Sequence, residues 1–248
     1  MPVYEQLKNQ PFVCVPFILD PLWIQHAVEG FHQFLNQPES IKNHIDFTIA
    51  PEHRRGDIGY KRRYLDERGF SDSKEFFHFH PALFDLYDEF LQQNPQILDF
   101  MYYASLIWDA VHATMFDFLS SMEPQSPGIV DKVFATQMPH IVLRFIRYDW
   151  QQSGTYLAKP HYDAGSCTLA IAQSSPGLRI GTRPDNLQLI IPKPQEAVFM
   201  WAANYRKLIN EQGFVPGWHD VIQLDKTGIA RRWDKIKYKN AFSRMKTC

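Results

Sequence analysis

The second half of the sequence is a succession of short apolar segments, and this feature most constrains the fold. The segments cover residues 141–148, 167–173, 178–180, 187–191 and 197–201. Proline, glycine, asparagine or aspartate separates them, as in turns between strands. Many short strands at such spacing predict a β-sandwich or a β-barrel. The segments do not alternate with helical patterns, so a Rossmann-type sheet is disfavoured.

The first half of the sequence is predicted to be rich in helix. After a short apolar segment at residues 12–17, Asp20 is suited to be a helix N-cap and Pro21 the first helical residue. Another helix is predicted at about residues 81–93. The clearest helix has a continuous apolar stripe over residues 97–122, which predicts a core face packed on a sheet. No segment between the halves looks like a flexible linker, so we expect one domain with a helical layer on a β core.

The charged residues are nearly balanced, which limits the classes of partner. The chain has 26 basic and 27 acidic residues, so charge gives no reason to expect nucleic acid or an anionic membrane as a partner. The basic residues 61–63 have acidic neighbours at Asp57, Asp66 and Glu67, which predicts a solvated surface neutralised by its own charges. Residues 1–10 lack a signal-peptide pattern and no apolar segment has the length of a membrane span, so we expect a cytoplasmic protein.

One His-x-Asp segment stands out among the ten histidines. In a strand, His161 and Asp163 would project to the same face, and His219 lies in a further histidine-bearing segment downstream. Two histidines and one carboxylate on one face of a barrel form the facial triad of non-haem Fe(II) sites, which leaves metal positions open for substrates. Alone, the segment is a weak signal, and a hydrogen-bonded His–Asp pair is the alternative. Several other histidines are predicted to be structural or surface residues: His26, His32, His78, His80 and His112.

The surroundings of these residues resemble a known family. Residues 143–148 (LRFIRY) resemble the strand that precedes the metal motif in the isopenicillin N synthase-like family of 2-oxoglutarate- and Fe(II)-dependent oxygenases. Residues 167–180 (CTLAIAQSSPGLRI) are similar to its "TLL.Q…GLQV" stretch. Residues 197–205 are similar to its "G.FVVN.GD" strand, and residues 213–221 resemble the segment with the distal histidine ligand. The resemblance covers most of the chain and is strongest over residues 141–221.

The resemblance implies a fold and an activity. The fold would be α+β with mainly a β core: a double-stranded β-helix (jelly roll) under an N-terminal helical layer. Residues 1–248 would form a single oxygenase domain, helix-rich over 1–130 and with the metal-binding jelly-roll core over 131–248. His161, Asp163 and His219 would bind Fe(II). With 2-oxoglutarate as co-substrate and O2, the enzyme would oxidise a small-molecule substrate.

The co-substrate site departs from the family pattern. Family members carry Arg-x-Ser about ten residues after the distal histidine, where the guanidinium pairs with the far carboxylate of 2-oxoglutarate. Here Arg231 and Arg232 lack a serine two positions later, and Arg244 is a more remote candidate. Arg232 is slightly favoured because the residues after it suggest a strand, in which only one of the two arginines can face inward. The Tyr148 hydroxyl is a further candidate contact, although a core tyrosine is an equally good interpretation.

This departure leaves two alternatives open. One is an Fe(II) oxidase of the same fold that does not use 2-oxoglutarate, which the missing Arg-x-Ser pattern favours. The other is a non-catalytic metal-binding jelly-roll protein. Turnover of 2-oxoglutarate to succinate is expected of the 2-oxoglutarate-dependent oxygenase and of neither alternative.

Overall fold

The computed structural model describes residues 2–50, 55–64, 72–135, 139–149, 156–223 and 241–247. The helices are α1 (Val3–Asn9), α2 (Pro21–Leu35), α3 (Glu39–Lys42), α4 (Leu83–Leu86), α5 (Asp88–Gln93), α6 (Pro95–Ser120) and α7 (Asp131–Phe134). The strands of the first half and the centre are β1 (Val13–Pro16), β2 (Asp46–Ala50), β3 (Arg55–Arg63), β4 (Lys74–Phe79), β5 (Ile141–Tyr148) and β6 (Tyr156–His161). The remaining strands are β7 (Cys167–Gln173), β8 (Leu178–Gly181), β9 (Gln188–Leu189), β10 (Glu196–Trp201), β11 (Trp218–Ile222) and β12 (Ala241–Thr247).

The strands form two antiparallel sheets. The larger sheet has eight strands in the order β1-β10-β7-β12-β5-β4-β3-β2, and the smaller has four in the order β6-β11-β8-β9. Every strand pair in the described part of the chain is antiparallel. The fold is therefore a mixed helical and antiparallel one, and the prediction that βαβ units are absent is confirmed for these strands.

One face of the larger sheet packs against helices α2 and α6. Phe31 of α2 and Phe100 of α6 have ring centroids 5.8 Å apart, and Phe100 lies 5.1 Å from Phe145 of β5. Aromatic rings at such separations add to the stabilisation that burial gives. As side chains alternate along a strand, the neighbouring Ile146 belongs to a different cluster on the opposite face.

The second apolar cluster fills the space between the two sheets. The larger sheet contributes Phe76, Ile146 and Tyr148, and the smaller contributes Leu178 and Ile180. Strands β4 and β5 of the larger sheet thus have a helix-facing side and an inner side. The candidate site described below lies at this inner space.

Several predicted elements match the structure and others differ. Helix α2 begins at Pro21, where the Asp20 carboxylate accepts a hydrogen bond from the Leu22 N–H at 2.9 Å. Helix α6 covers the predicted stripe but ends at Ser120. The helix predicted at residues 81–93 is two helices, α4 and α5, because Tyr87 leaves the helical conformation and its hydroxyl bonds to the backbone of Asp46.

The helix-rich prediction for residues 1–130 omits three strands. Strands β2, β3 and β4 extend the larger sheet beyond β5. Strand β3 reads RGDIGYKRR, and such a segment lacks the apolar alternation that identifies a strand. No helix in the described part of the chain combines the length and the apolar character needed to cross a bilayer.

Candidate metal centre

The structure brings His161, Asp163 and His219 together. His161 is the last residue of β6 and pairs directly with His219 of β11. The sequence predicted that Asp163 is on the same strand as His161, but in the structure it lies just beyond the end of β6. Its carboxylate oxygens are 3.6 Å from His161 Nε2 and 3.7 Å from His219 Nε2. The three ligand atoms lie within 4.8 Å of one another, and this is the one such cluster of three found among the described residues.

Backbone carbonyl groups orient both imidazole rings. His161 Nδ1 is 2.6 Å from the carbonyl oxygen of Lys159, and His219 Nδ1 is 2.9 Å from that of Gly217. A carbonyl only accepts, so Nδ1 carries the proton in each ring and Nε2 keeps its lone pair. This is the tautomer in which a histidine binds a metal through Nε2, and such contacts commonly hold metal-binding histidines in place.

The carboxylate of Asp163 is held by the strand that follows it. Thr168 of β7 donates its hydroxyl proton to Asp163 Oδ2 at 2.8 Å. The Asp163 carbonyl accepts from the Ala203 N–H at 2.9 Å, which ties this loop to the end of β10. The side chains of Asp163 and His219 are 1% and 0% exposed, whereas that of His161 is 36% exposed. Two of the three side chains are therefore buried, and the third, His161, is partly accessible to solvent.

A glycine permits the close approach that positions His219. A Cβ atom at Gly217 would lie 2.9 Å from Cβ and Sδ of Met200 and 3.1 Å from the carbonyl oxygen of Pro11. The Gly217 N–H also donates to the carbonyl of Trp201 at 2.9 Å. A larger residue would push this segment outward and move the carbonyl that orients His219.

The donor set fits a divalent transition metal. Two neutral imidazole nitrogens and one carboxylate oxygen are the ligands of non-haem Fe(II) sites, in which the other coordination positions stay open. Asp220, next to His219, points to the opposite face of β11, and its carboxylate pairs with Arg179.

The structure locates only part of the predicted co-substrate site. Tyr148 is buried between the two sheets, and the ammonium group of Lys74 lies 5.7 Å from the centroid of its ring. Arg231 and Arg232 lie outside the described residues. The backbone of β12 pairs Arg244 with Arg144 of β5.

Three features of this region were not predicted as functional. Thr168 binds the Asp163 carboxylate and Gly217 positions His219, although both stand in segments that carry the family resemblance. The strand alternation of residues 167–173 would have placed Thr168 on the inner face. The third feature is a contact between His78 and Arg144 at the inner space, for which no local sequence pattern gives a signal because the two residues are far apart in the chain.

No protein-family model matches the sequence, and no curated protein matches it. Several solved structures do resemble the fold. For a full-length Neurospora crassa protein in complex with alpha-KG and thymine, the TM-score is 0.68 at 16% identity, over 98% of this chain and 77% of that one. For JOX2 in complex with 2OG, Fe and JA, the TM-score is 0.66 at 17% identity, over 99% of this chain and 69% of JOX2.

A third structure resembles the chain to the same extent. For the dioxygenase for auxin oxidation 1 from Arabidopsis thaliana in complex with 2-oxoglutarate, the TM-score is 0.66 at 13% identity, over 98% of this chain and 84% of that one. At identities of 13–17%, the similarity shows the fold. The chain has the fold of the 2-oxoglutarate-dependent Fe(II) oxygenases.

Proposed function

We propose that the protein is an Fe(II)- and 2-oxoglutarate-dependent oxygenase that oxidises a small organic molecule. The observation that carries the proposal is the convergence of two histidine Nε2 atoms and the Asp163 carboxylate within a fold shared with such oxygenases. Within this class, the sequence resemblance over residues 141–221 supports a place in the isopenicillin N synthase-like family.

We assign the two facing sheets to a jelly roll within a single domain over residues 1–248. The antiparallel pairing of every described strand supports this assignment. The larger sheet combines β1–β4 of the first half with β5, β7, β10 and β12 of the second. This sharing of one sheet by the two halves supports placing the helix-rich part over 1–130 and the core over 131–248 in one unit.

In this proposal His161, Asp163 and His219 hold the Fe(II). Bound Fe(II) would supply the oxidative chemistry, with 2-oxoglutarate and O2 as co-substrates. The chain fixes the geometry: the Lys159 and Gly217 carbonyls keep both Nε2 lone pairs available, and the Thr168 hydroxyl restrains the carboxylate. Ligands preorganised in this way lose little freedom when the metal binds.

The Tyr148 hydroxyl would contact 2-oxoglutarate, and one arginine after His219 would bind its far carboxylate. The position of Tyr148 between the sheets supports its part. Arg232 is the first arginine to test and Arg231 the second. Arg244 is the third candidate, because its backbone position is next to β5, the strand of Tyr148.

The metal site is tested by anaerobic titration with Fe(II) or Mn(II). His161→Ala and Asp163→Ala should abolish stoichiometric binding, because each removes one of three protein ligands. His26→Ala is a matched control, since His26 is an exposed histidine on α2, and it should bind the metal like the wild type. Circular dichroism verifies that the variants are folded. Normal metal binding by folded His161→Ala and Asp163→Ala would exclude this site.

An oxidase without 2-oxoglutarate is the second candidate function, and the missing Arg-x-Ser pattern is the observation that favours it. The Fe(II)-loaded protein should convert 2-oxoglutarate to succinate if the first proposal is correct. Metal binding by a protein that neither binds 2-oxoglutarate nor forms succinate would favour the oxidase.

A further inference from the structure

Three basic side chains of the larger sheet lie on its inner side. In the register of β3, β4 and β5, Arg63 pairs with Lys74 and Lys74 pairs with Tyr148. Arg144 lies four residue pairs further along β5, opposite His78 and on the same face. Directly paired residues project to the same face of a sheet, and Tyr148 faces the smaller sheet. We call Arg63, Lys74 and Arg144 the inner basic surface.

The two guanidinium groups of this surface lie over the ring of Phe76. The central carbon of the Arg144 guanidinium is 5.2 Å from the ring centroid, and that of Arg63 is 5.6 Å from it. The ring of His78 is 4.9 Å from the same ring. The buried Phe76 ring therefore brings the two guanidinium groups close together.

A hydrogen-bond chain fixes the orientation of Arg144. The carbonyl oxygen of Asp57 is 2.7 Å from His78 Nδ1, so Nδ1 carries the proton. His78 Nε2 then accepts a hydrogen bond from Arg144 Nε. A guanidinium held through Nε presents its Nη edge in a fixed direction, and this is the planar edge that pairs with a carboxylate.

Lys74 is the most buried of the three cations and has an acidic partner. Lys74 is 8% exposed, and its ammonium group is 3.1 Å from the Asp72 carboxylate. Burial lowers the pKa of Lys74, and Arg63 and Arg144 lower it further, while Asp72 acts in the opposite direction. The Asp72 carboxylate offsets one of these three positive charges.

The register also relates this surface to the candidate metal centre. Arg144 pairs with Arg244 of β12, which pairs with Ala170 of β7. Thr168, which binds the Asp163 carboxylate, stands two residues before Ala170. Two strand spacings of about 4.8 Å and two residue rises of about 3.4 Å separate the Arg144 and Thr168 backbones by roughly 12 Å. A small molecule bound by Arg144 can therefore extend towards the metal.

We propose that Arg144 and Arg63 bind the carboxylate of a small organic acid that enters the space between the two sheets. This inference rests on the proposed function, because the acid would enter the same inner space as the metal. The acid is the substrate if the carboxylate is additional to that of 2-oxoglutarate. If Arg144 instead holds the far carboxylate of 2-oxoglutarate, the bound group is again a carboxylate, but it belongs to the co-substrate.

Binding of matched probes tests the proposal. Phenylacetate and phenylacetamide have the same skeleton and differ in charge, and 2-oxoglutarate probes the co-substrate. Each is titrated calorimetrically under anaerobic conditions, with and without Mn(II), into the wild type and Arg144→Gln. Arg147→Gln is the control, because Arg147 is on the same strand and contacts Glu75, which is on the helix-facing side. Melting temperatures establish that the variants are folded, and Arg63→Gln, at the exposed arginine of the pair, replaces Arg144→Gln if that variant does not fold.

The wild type should prefer phenylacetate to phenylacetamide by at least about tenfold, and Arg144→Gln should remove the preference while Arg147→Gln keeps it. If 2-oxoglutarate affinity is unchanged in Arg144→Gln, the carboxylate belongs to the substrate. A tenfold or larger loss of 2-oxoglutarate affinity assigns it to the co-substrate. A wild type without preference for phenylacetate, together with unchanged 2-oxoglutarate affinity in Arg144→Gln, overturns the proposal. The Mn(II) titration is a separate readout, so failure of the metal site is seen independently.

Discussion

The ion pair behind the candidate metal centre tests how much a buried charge pair contributes to the stability of the smaller sheet. Arg179 of β8 is directly opposite Asp220 of β11, the residue after His219. Its Nε and Nη2 atoms donate to the two carboxylate oxygens of Asp220 at 2.9 and 2.6 Å. The Asp220 side chain is 0% exposed and that of Arg179 is 28% exposed. Arg179→Leu would therefore leave a carboxylate buried without its cation.

Breaking a buried pair by removing one partner costs about 3–5 kcal/mol. Because Arg179 is partly exposed, water can reach its place in the variant, and we expect a loss near the lower end, about 3 kcal/mol. In a protein of this size each kcal/mol lowers the melting temperature by about 2–4 °C, so the melting temperature of Arg179→Leu should fall by roughly 6–12 °C. The double variant Arg179→Leu/Asp220→Leu should regain much of this loss, because no buried charge remains.

Urea denaturation of the metal-depleted protein, followed by circular dichroism, measures the losses of unfolding free energy, and a thermal melt measures the melting temperatures. Arg183→Leu is the matched control: Arg183 forms a 3.2 Å ion pair with Asp185, and both side chains are about 70% exposed. An exposed pair of this kind contributes at most about 1 kcal/mol. If Arg179→Leu costs no more than Arg183→Leu, or the double variant is as unstable as Arg179→Leu, the reasoning is refuted.

Two further predictions concern the helical layer and its pH dependence. Trp108 is buried and donates its indole N–H to a main-chain carbonyl of β5 at 3.0 Å, so Trp108→Ala should cost about 3–5 kcal/mol, and an unchanged urea midpoint would contradict burial there. Burial lowers the pKa of His80, whose Nδ1 accepts from the Ala82 N–H and whose Nε2 is 3.2 Å from the Pro139 carbonyl. The unfolded chain thus binds the His80 proton more readily, so the stability from neutral His80 is present above about pH 6.5 and is lost as the pH falls below it. Unfolding free energies at pH 7 and pH 5 should differ less in His80→Gln than in the wild type or His26→Gln, and equal differences would contradict this.

The sequence predicts those elements of the fold whose pattern is local. Strands β5 and β7 have the predicted bounds because their apolar residues form continuous runs. Helix α2 has its predicted start because a capping carboxylate and a proline both act within one turn. Strand β3 lacks such a pattern. Its charged residues are satisfied by the neighbouring strands, as Lys61 by Asp46 of β2 and Arg62 by Glu75 of β4, and such pairs become visible only when the register is known.

The same distinction applies to the candidate site. His161 and Asp163 could be proposed together because they are close in sequence, and His219 because its segment resembles a family. The prediction that residues 61–63 are a solvated surface holds for the Lys61–Asp46 pair, which is exposed. It is incomplete for Arg63, which is exposed but also lies over Phe76. The periodicity of a strand cannot show which ring will be opposite a given cation.

The charges of the inner space favour an acidic substrate over a neutral one. Fe(II) with the Asp163 carboxylate and doubly charged 2-oxoglutarate would have a net charge of −1, and a charge in a partly desolvated space requires a partner. One arginine is sufficient for 2-oxoglutarate, whichever residue supplies it. The inner basic surface has three cations, Arg63, Lys74 and Arg144, and Asp72 offsets one of them. A substrate carboxylate would add a negative charge beside Arg63 and Arg144, whereas a neutral substrate would not. The comparison of phenylacetate with phenylacetamide measures this difference.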